Sequence, residues 1–122
     1  NTEEKVLAQA AVFGGVAYYT TYTPVVSASM CSTGGGTSRL YAMEYLTAGP
    51  AYNYNSSNDT DGTVVKDSTD RSTIIGSGIA SGIVTVVSPR GFTALVGSGG
   101  AIVKPDVKQS GSSIPTYWRE VR

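Results

Sequence analysis

Five oxygen-bearing side chains, Asp59, Asp61, Thr63, Asp67 and Asp70, fall within one short polar stretch of the chain. Oxygens at alternate positions, a glycine for a sharp turn and a closing carboxylate are what a hard cation such as calcium requires. Two registers come near that pattern. Counting from Ser57 places Asp59, Asp61 and Gly62 well but closes on Ser68; counting from Asp59 places Asp61, Thr63, Asp67 and Asp70 well but puts Val64 where the glycine belongs. The alternative is a solvated turn in which Asp61-Gly62 takes positive φ and the carboxylates accept from nearby amides. Paired carboxylates also serve glycoside hydrolysis, but that needs an apolar surround to raise one pKa, which a loop of this composition does not supply. The triplets Asn55-Ser56-Ser57 and Asn58-Asp59-Thr60 match the glycan-acceptor pattern.

Composition closes off most other chemistry. The 122 residues include no histidine, which removes a Ser-His-Asp triad, a histidine-bearing zinc site and a histidine proton shuttle. The one cysteine, Cys31, can form neither an intrachain disulfide nor a cysteine metal cage. Gly34-Gly35-Gly36 and Gly97-Ser98-Gly99-Gly100 lack the Lys-Ser/Thr and following helix of a phosphate loop and read as turns. Nine basic residues balance nine acidic ones, so there is no basic excess for a nucleic acid. No apolar run is long enough to span a membrane. Asn1 in place of methionine fits removal of a leading segment, an export signal being one candidate. No enzyme is expected.

The elements that would carry these residues are strands. Val6–Phe13 and Val16–Thr23 flank Gly14-Gly15, whose freedom to take positive φ suits a tight hairpin turn. Alternation puts Tyr18, Thr20 and Tyr22 on one face and Tyr19, Thr21 and Thr23 on the other. Pro24, with no amide hydrogen, ends the second run. A loop over 25–37 contains Met30 and Cys31. A third strand is expected at Ser38–Tyr45, with Leu40, Ala42 and Glu44 opposite Tyr41, Met43 and Tyr45, followed by a short return strand at Ala51–Tyr54. After the acidic loop at about 53–72, Ile83–Val87 and Phe92–Val96 form a second hairpin around Ser88-Pro89-Arg90-Gly91, then come Ala101–Val103 and a last element at Ile114–Arg122. No segment carries a helical period. The class is therefore all-β in a single domain, 1–122: an antiparallel sheet of hairpins, blade-like or closed into a small sandwich or barrel.

Eight tyrosines against two phenylalanines and one tryptophan suit surfaces that exclude water yet keep a polar handle. Tyr18, Tyr19, Tyr22, Tyr41, Tyr45 and Trp118 are the candidate interface set; simple strand propensity is the alternative reading, and a carbohydrate platform built from the same rings is another. Only 15% of residues are charged, below the usual quarter or so of a soluble domain.

The segments "EKVLAQAAVFGGVAYYTTYTP", "CSTGGGTSRLYAMEYLTAG", "TDRSTIIGSGIASGIVTVV" and "YWREV" occur in that order. Together they resemble the C-terminal β-propeller region of PilY1-type proteins of bacterial type IV pili, over about residues 4–121. A full propeller needs several hundred residues, and this length supplies roughly one and a half to two blades. A blade without its ring exposes sheet edges and an apolar face, so completion by a partner chain is expected. The resemblance implies an exported protein of the pilus or cell surface. Its expected role is a non-catalytic structural subunit of an extracellular type IV pilus-like filament, a β-rich head packing with a helical pilin, with copies of itself, or with both. The alternative is a pilus-tip adhesin-like module that binds a cation or carbohydrate.

Overall fold

The computed structural model describes residues 3–25 and 35–107. They form eight strands: β1 (Lys5–Val6), β2 (Ala11–Phe13), β3 (Val16–Pro24), β4 (Gly36–Glu44), β5 (Ser72–Ser77), β6 (Val84–Ser88), β7 (Gly91–Ser98) and β8 (Ala101–Val103). Every pairing is antiparallel. One sheet runs β1-β3-β4-β5 with β2 also on β3, and the other runs β6-β7-β8. Two 3-10 turns, Ser56–Asn58 and Ser68–Arg71, are the only helical turns among the described residues. The all-β antiparallel class read from the sequence holds, as two sheets of five and three strands.

The spine is β3 on β4. Nine residue pairs run without a break from Val16↔Glu44 to Pro24↔Gly36. The expected alternation sets the faces: Val16, Tyr18, Leu40 and Ala42 are buried together with Ala51, and Phe13, Tyr52, Tyr54, Ile75 and Ile83 pack around them. Within this core Tyr18 stacks on Phe13 at 4.4 Å between ring centroids, and its hydroxyl meets that of Tyr52 at 2.5 Å. The pairing spares the buried Tyr18 hydroxyl the about 1–3 kcal/mol that an unpaired polar group costs.

Three expectations are corrected. The run Val6–Phe13 is split, because residues 7–10 lie opposite only Tyr19 and Thr20: the register moves from Val6↔Thr21 to Ala11↔Tyr18. An insertion of two residues preserves the facing of side chains, where an insertion of one would reverse it. The return strand at Ala51–Tyr54 is absent. A tight turn bonds Ala48 N–H to the Glu44 carbonyl and Glu44 N–H to the Gly49 carbonyl, and pairing ends just after a lone Met43↔Pro50 bridge: Ala51 N–H still donates to the Ala42 carbonyl, but the Ala51 carbonyl accepts from Lys66 Nζ at 3.2 Å. The segment instead delivers Ala51, Tyr52 and Tyr54 to the core. Finally, Ser72–Ser77 is a strand that the pattern did not reveal. It is short and ends in Gly-Ser, and its extended form comes from pairing with β4, with a bulge at Ser38/Arg39. The loop residues Met30 and Cys31 and the element at Ile114–Arg122 lie outside the described residues.

The two sheets meet along the crossing at 77–82. Gly78 N–H donates to the Gly36 carbonyl at 2.9 Å and Ser81 N–H to the Gly97 carbonyl at 2.8 Å. In return Thr20 Oγ1 donates to the Ser81 carbonyl, Ser38 Oγ to the Gly78 carbonyl, and Ser98 Oγ to the Ser77 carbonyl. Thr20, Ser38, Ser98 and Ala80 are buried. Small residues are needed throughout: a Cβ on Gly99, which has φ +59, would lie 2.9 Å from the Ser77 carbonyl oxygen. Gly99→Ala should therefore combine left-handed strain with a backbone clash and lower stability by more than about 1 kcal/mol. Gly35→Ala, with nothing within 4 Å of the added carbon, should be close to neutral; urea denaturation of the two variants makes the comparison.

Candidate interaction surface

The acidic loop uses its carboxylates on its own backbone. Asp59 accepts from Asn53 Nδ2 at 2.9 and 3.1 Å and from Val65 N–H at 2.9 Å. Asp67 caps the second 3-10 turn, accepting from Thr69 N–H and Oγ1. Asp70 accepts from Asn55 N–H at 2.7 Å and Asp67 N–H at 2.9 Å, which completes a capping box with Asp67. Asp61 and Gly62, at φ 48° and 77°, turn the chain between Thr60 and Thr63, whose backbones bond to each other in both directions. Of the five candidate cation ligands, Asp67 and Asp70 are brought together. Asp59 is committed to Asn53 and Val65, and Asp61 and Thr63 are exposed around the tip of the turn. Among the described residues no three His, Cys, Asp or Glu side chains group as a metal site. Asp59, Asp67 and Asp70 all accept from amide N–H groups of the loop itself.

Asp70 has no exposed surface, yet its carboxyl is held below its ordinary value, first by the Asp67 N–H and then by the Asn55 N–H, which outweigh burial. Asp67 is lowered as well, chiefly by the Thr69 hydroxyl and N–H. The same loop buries Asn53 Oδ1 and the Tyr54 hydroxyl without a hydrogen-bond partner among the described residues, while the Asn58 amide faces the Asp67 and Asp70 carboxylates and helps to lower both. Burial pushes the Tyr54 phenol well above its ordinary value of 10.0. Tyr54 also contributes to a cleft of about 330 Å³ where the chain leaving β8, through Lys104 and Asp106, passes Leu40 and Ile75.

The tyrosine set divides by face. Tyr18 is wholly buried and belongs to the core; it is not available to a partner. Tyr19 and Tyr41, half-buried on the other face of the large sheet, stack at 4.8 Å with planes 4° apart, as cross-strand partners should. Glu4 Oε1 closes this shelf, accepting from Tyr41 OH at 2.9 Å and Thr21 Oγ1 at 2.6 Å. Desolvation first, and the Glu4 carboxylate after it, raise both phenols. Tyr22 lies with its ring over Gly36, in the space a Cβ would take. Tyr45 is 59% exposed at the hairpin end beside the exposed Leu46. Trp118 lies outside the described residues.

The sequence reading missed a second surface, on the small sheet. Register places Val84, Val86, Thr93, Leu95 and Ile102 on one face, where Val86 is 45% and Ile102 74% exposed. The inward face of β7 carries the buried Ala94, Val96 and Ser98. A signal for this surface was present: Arg90 is the only charged residue from Ser72 to Val103. Low charge marks such a region but does not say which face is covered, and that required the register.

Comparisons with protein-family models, with curated proteins and with solved structures found no match to this chain.

The carboxyl shifts set an acid limit on stability. Asp67 and Asp70 are lowered in the folded state, so their contribution is complete above the ordinary value of 3.8 and is lost as pH falls through their folded values. Asp70→Asn should lower the melting temperature at neutral pH by roughly 5 °C or more. It should also lose less than the wild type between about pH 5 and about pH 2; thermal unfolding followed by circular dichroism across that range tests both points.

Proposed function

We propose that this chain is a non-catalytic structural subunit of an extracellular type IV pilus-like filament, a β-rich head that packs with a helical pilin partner. One observation carries the reading: the balance of covered and uncovered apolar residues. Among the described residues thirteen large apolar side chains are exposed, while the buried apolar set numbers eight, four of them alanine. Single exposed apolar side chains are ordinary, but a contiguous, uncharged group of them marks an interaction site. The face bearing the exposed Val84, Val86 and Ile102 beside the half-buried Leu95 is such a group, and an apolar helix laid across it would remove these side chains from water at about 25 cal/mol per Å². The order of the four segments that resemble the pilus-associated family supports the same assignment. The chemistry of the acidic loop adds to it, because carboxylates that serve as caps and turn acceptors hold a loop in shape.

The test is recovery of the chain from the surface fraction of the cells that produce it. Chemical crosslinking through Lys5, Lys66 and Lys104, followed by mass spectrometry, should join it to a short helical pilin, and antibody against the chain should decorate filaments along their length. Recovery as a free protein with no crosslink to a pilin, from cells whose filaments stay undecorated, would refute the assignment.

A further inference from the structure

All five residues of β6 are exposed, and the strand is the outer edge of its sheet. On its inner side it pairs with β7 without a break from Val84↔Leu95 to Ser88↔Gly91. On its outer side no strand pairs with it among the described residues. In an antiparallel ladder alternate residues turn their N–H and C=O groups outward, so this edge offers a row of open donors and acceptors. Natural edges are usually blunted by lysine, proline or a bulge. Val84-Thr85-Val86-Val87-Ser88 has none of these, and it consists of strong strand formers flanked by a turn.

We propose that β6 is a strand-addition site and that its occupant is β6 of a second copy of this chain, paired antiparallel to give a continuous six-stranded sheet. The ligand class follows from the edge itself, since only an extended backbone matches its hydrogen bonds. The choice of a second copy follows from register and charge. Centred on Val86, the two-fold pairing sets Val86 on Val86, Thr85 on Val87 and Val84 on Ser88, all uncharged contacts between residues that favour strands. Arg90, the one charge in the region, then lies opposite Gly82 of the copy. A parallel in-register pairing would set Arg90 on Arg90, so charge selects the antiparallel arrangement. The pairing also joins the two faces bearing Val84, Val86, Leu95 and Ile102 into one apolar surface, because residues opposite each other share a face. A ladder of five residues buries less than the roughly 1,200 Å² of a stable complex, so the dimer belongs to the weak, concentration-dependent class. This inference deepens the assembly reading and rests on it only in taking the uncovered surface as a contact surface; it does not need the helical partner.

Sedimentation velocity of the full chain over a range of concentrations tests it, alone and with Val86→Lys and Val86→Glu. The wild type should self-associate reversibly. Each variant alone should associate at least about tenfold more weakly, because it sets like charges opposite each other in place of valines. An equimolar mixture of the two variants should recover association, and added salt should weaken the recovered form. Near-ultraviolet circular dichroism checks that both variants stay folded, and the wild-type series stands without them. A wild type that sediments as a monomer at every concentration overturns the proposal, whatever covers the edge. So do folded variants that associate as well as the wild type, or folded variants whose mixture stays monomeric. Pilin crosslinking repeated with Val86→Lys separates the two readings: retained crosslinks with lost self-pairing tell against neither, while a monomeric wild type that still crosslinks overturns only the self-pairing.

Discussion

Everything else in the fold depends on the seam at 77–82, where one short segment hydrogen-bonds to both sheets. Its Gly78 and Ser81 amides and its carbonyls at 77, 78 and 81 each find a partner on β3, β4 or β7. A crossing between layers is an awkward place for a backbone, because each polar group left unpaired there costs about 1–3 kcal/mol. Here the cost is avoided by threonine and serine hydroxyls reaching in from the flanking strands. The requirement explains why Thr20, Ser38 and Ser98 are buried in place of larger apolar residues. It also explains why the segment itself is built of glycine, serine and alanine with a single isoleucine.

That solution has a consequence for the surface. A seam of hydroxyls and small residues brings the sheets close but buries little apolar area, so the main buried cluster is the group around Val16, Tyr18 and Leu40, with Ala80, Ala94 and Val96 buried apart from it. The small sheet gains cover over one face of β7, while β6 stays exposed on both faces. Its outer strand is uncharged and unbroken. The same economy of small residues that joins the layers thus leaves valines and an isoleucine in contact with water, and it is from this imbalance that the assembly reading arises. The acidic loop, by contrast, is held in place by its own capping box and amide bonds, and its charge is used locally.

Much of this was legible in the chain. Gly14-Gly15 and Ser88-Pro89-Arg90-Gly91 both turned where their chemistry required, and the facing of Tyr18 against Tyr19 and of Leu40 against Tyr41 followed from the period of two. In the acidic stretch the Asp61-Gly62 turn and the capping role of Asp67 follow the local turn chemistry of those residues. Less was legible for β5, whose extended form depends on β4, and for Ala51–Tyr54, where the Ala51 carbonyl turns to Lys66 and the segment enters the core in place of the ladder that the alternation suggested. Tyr18 and Tyr19 are neighbours of identical type, and pattern alone marked both as partners for something. Only packing made one the centre of the core and the other half of an outer shelf with Tyr41.

The amino-acid order by itself determined the all-β class, the places of the tight turns, the alternation of faces along β3, β4 and β7, and the absence of histidine chemistry, because these depend on backbone freedom, side-chain period and composition, which are local. Tertiary structure alone decided which face of each strand is covered, that 77–82 joins the layers, that Asp70 is buried between two amides, and that β6 is an outer edge. These depend on which distant segments meet, and a chain with strand-forming residues on both faces leaves that open until the sheets pack.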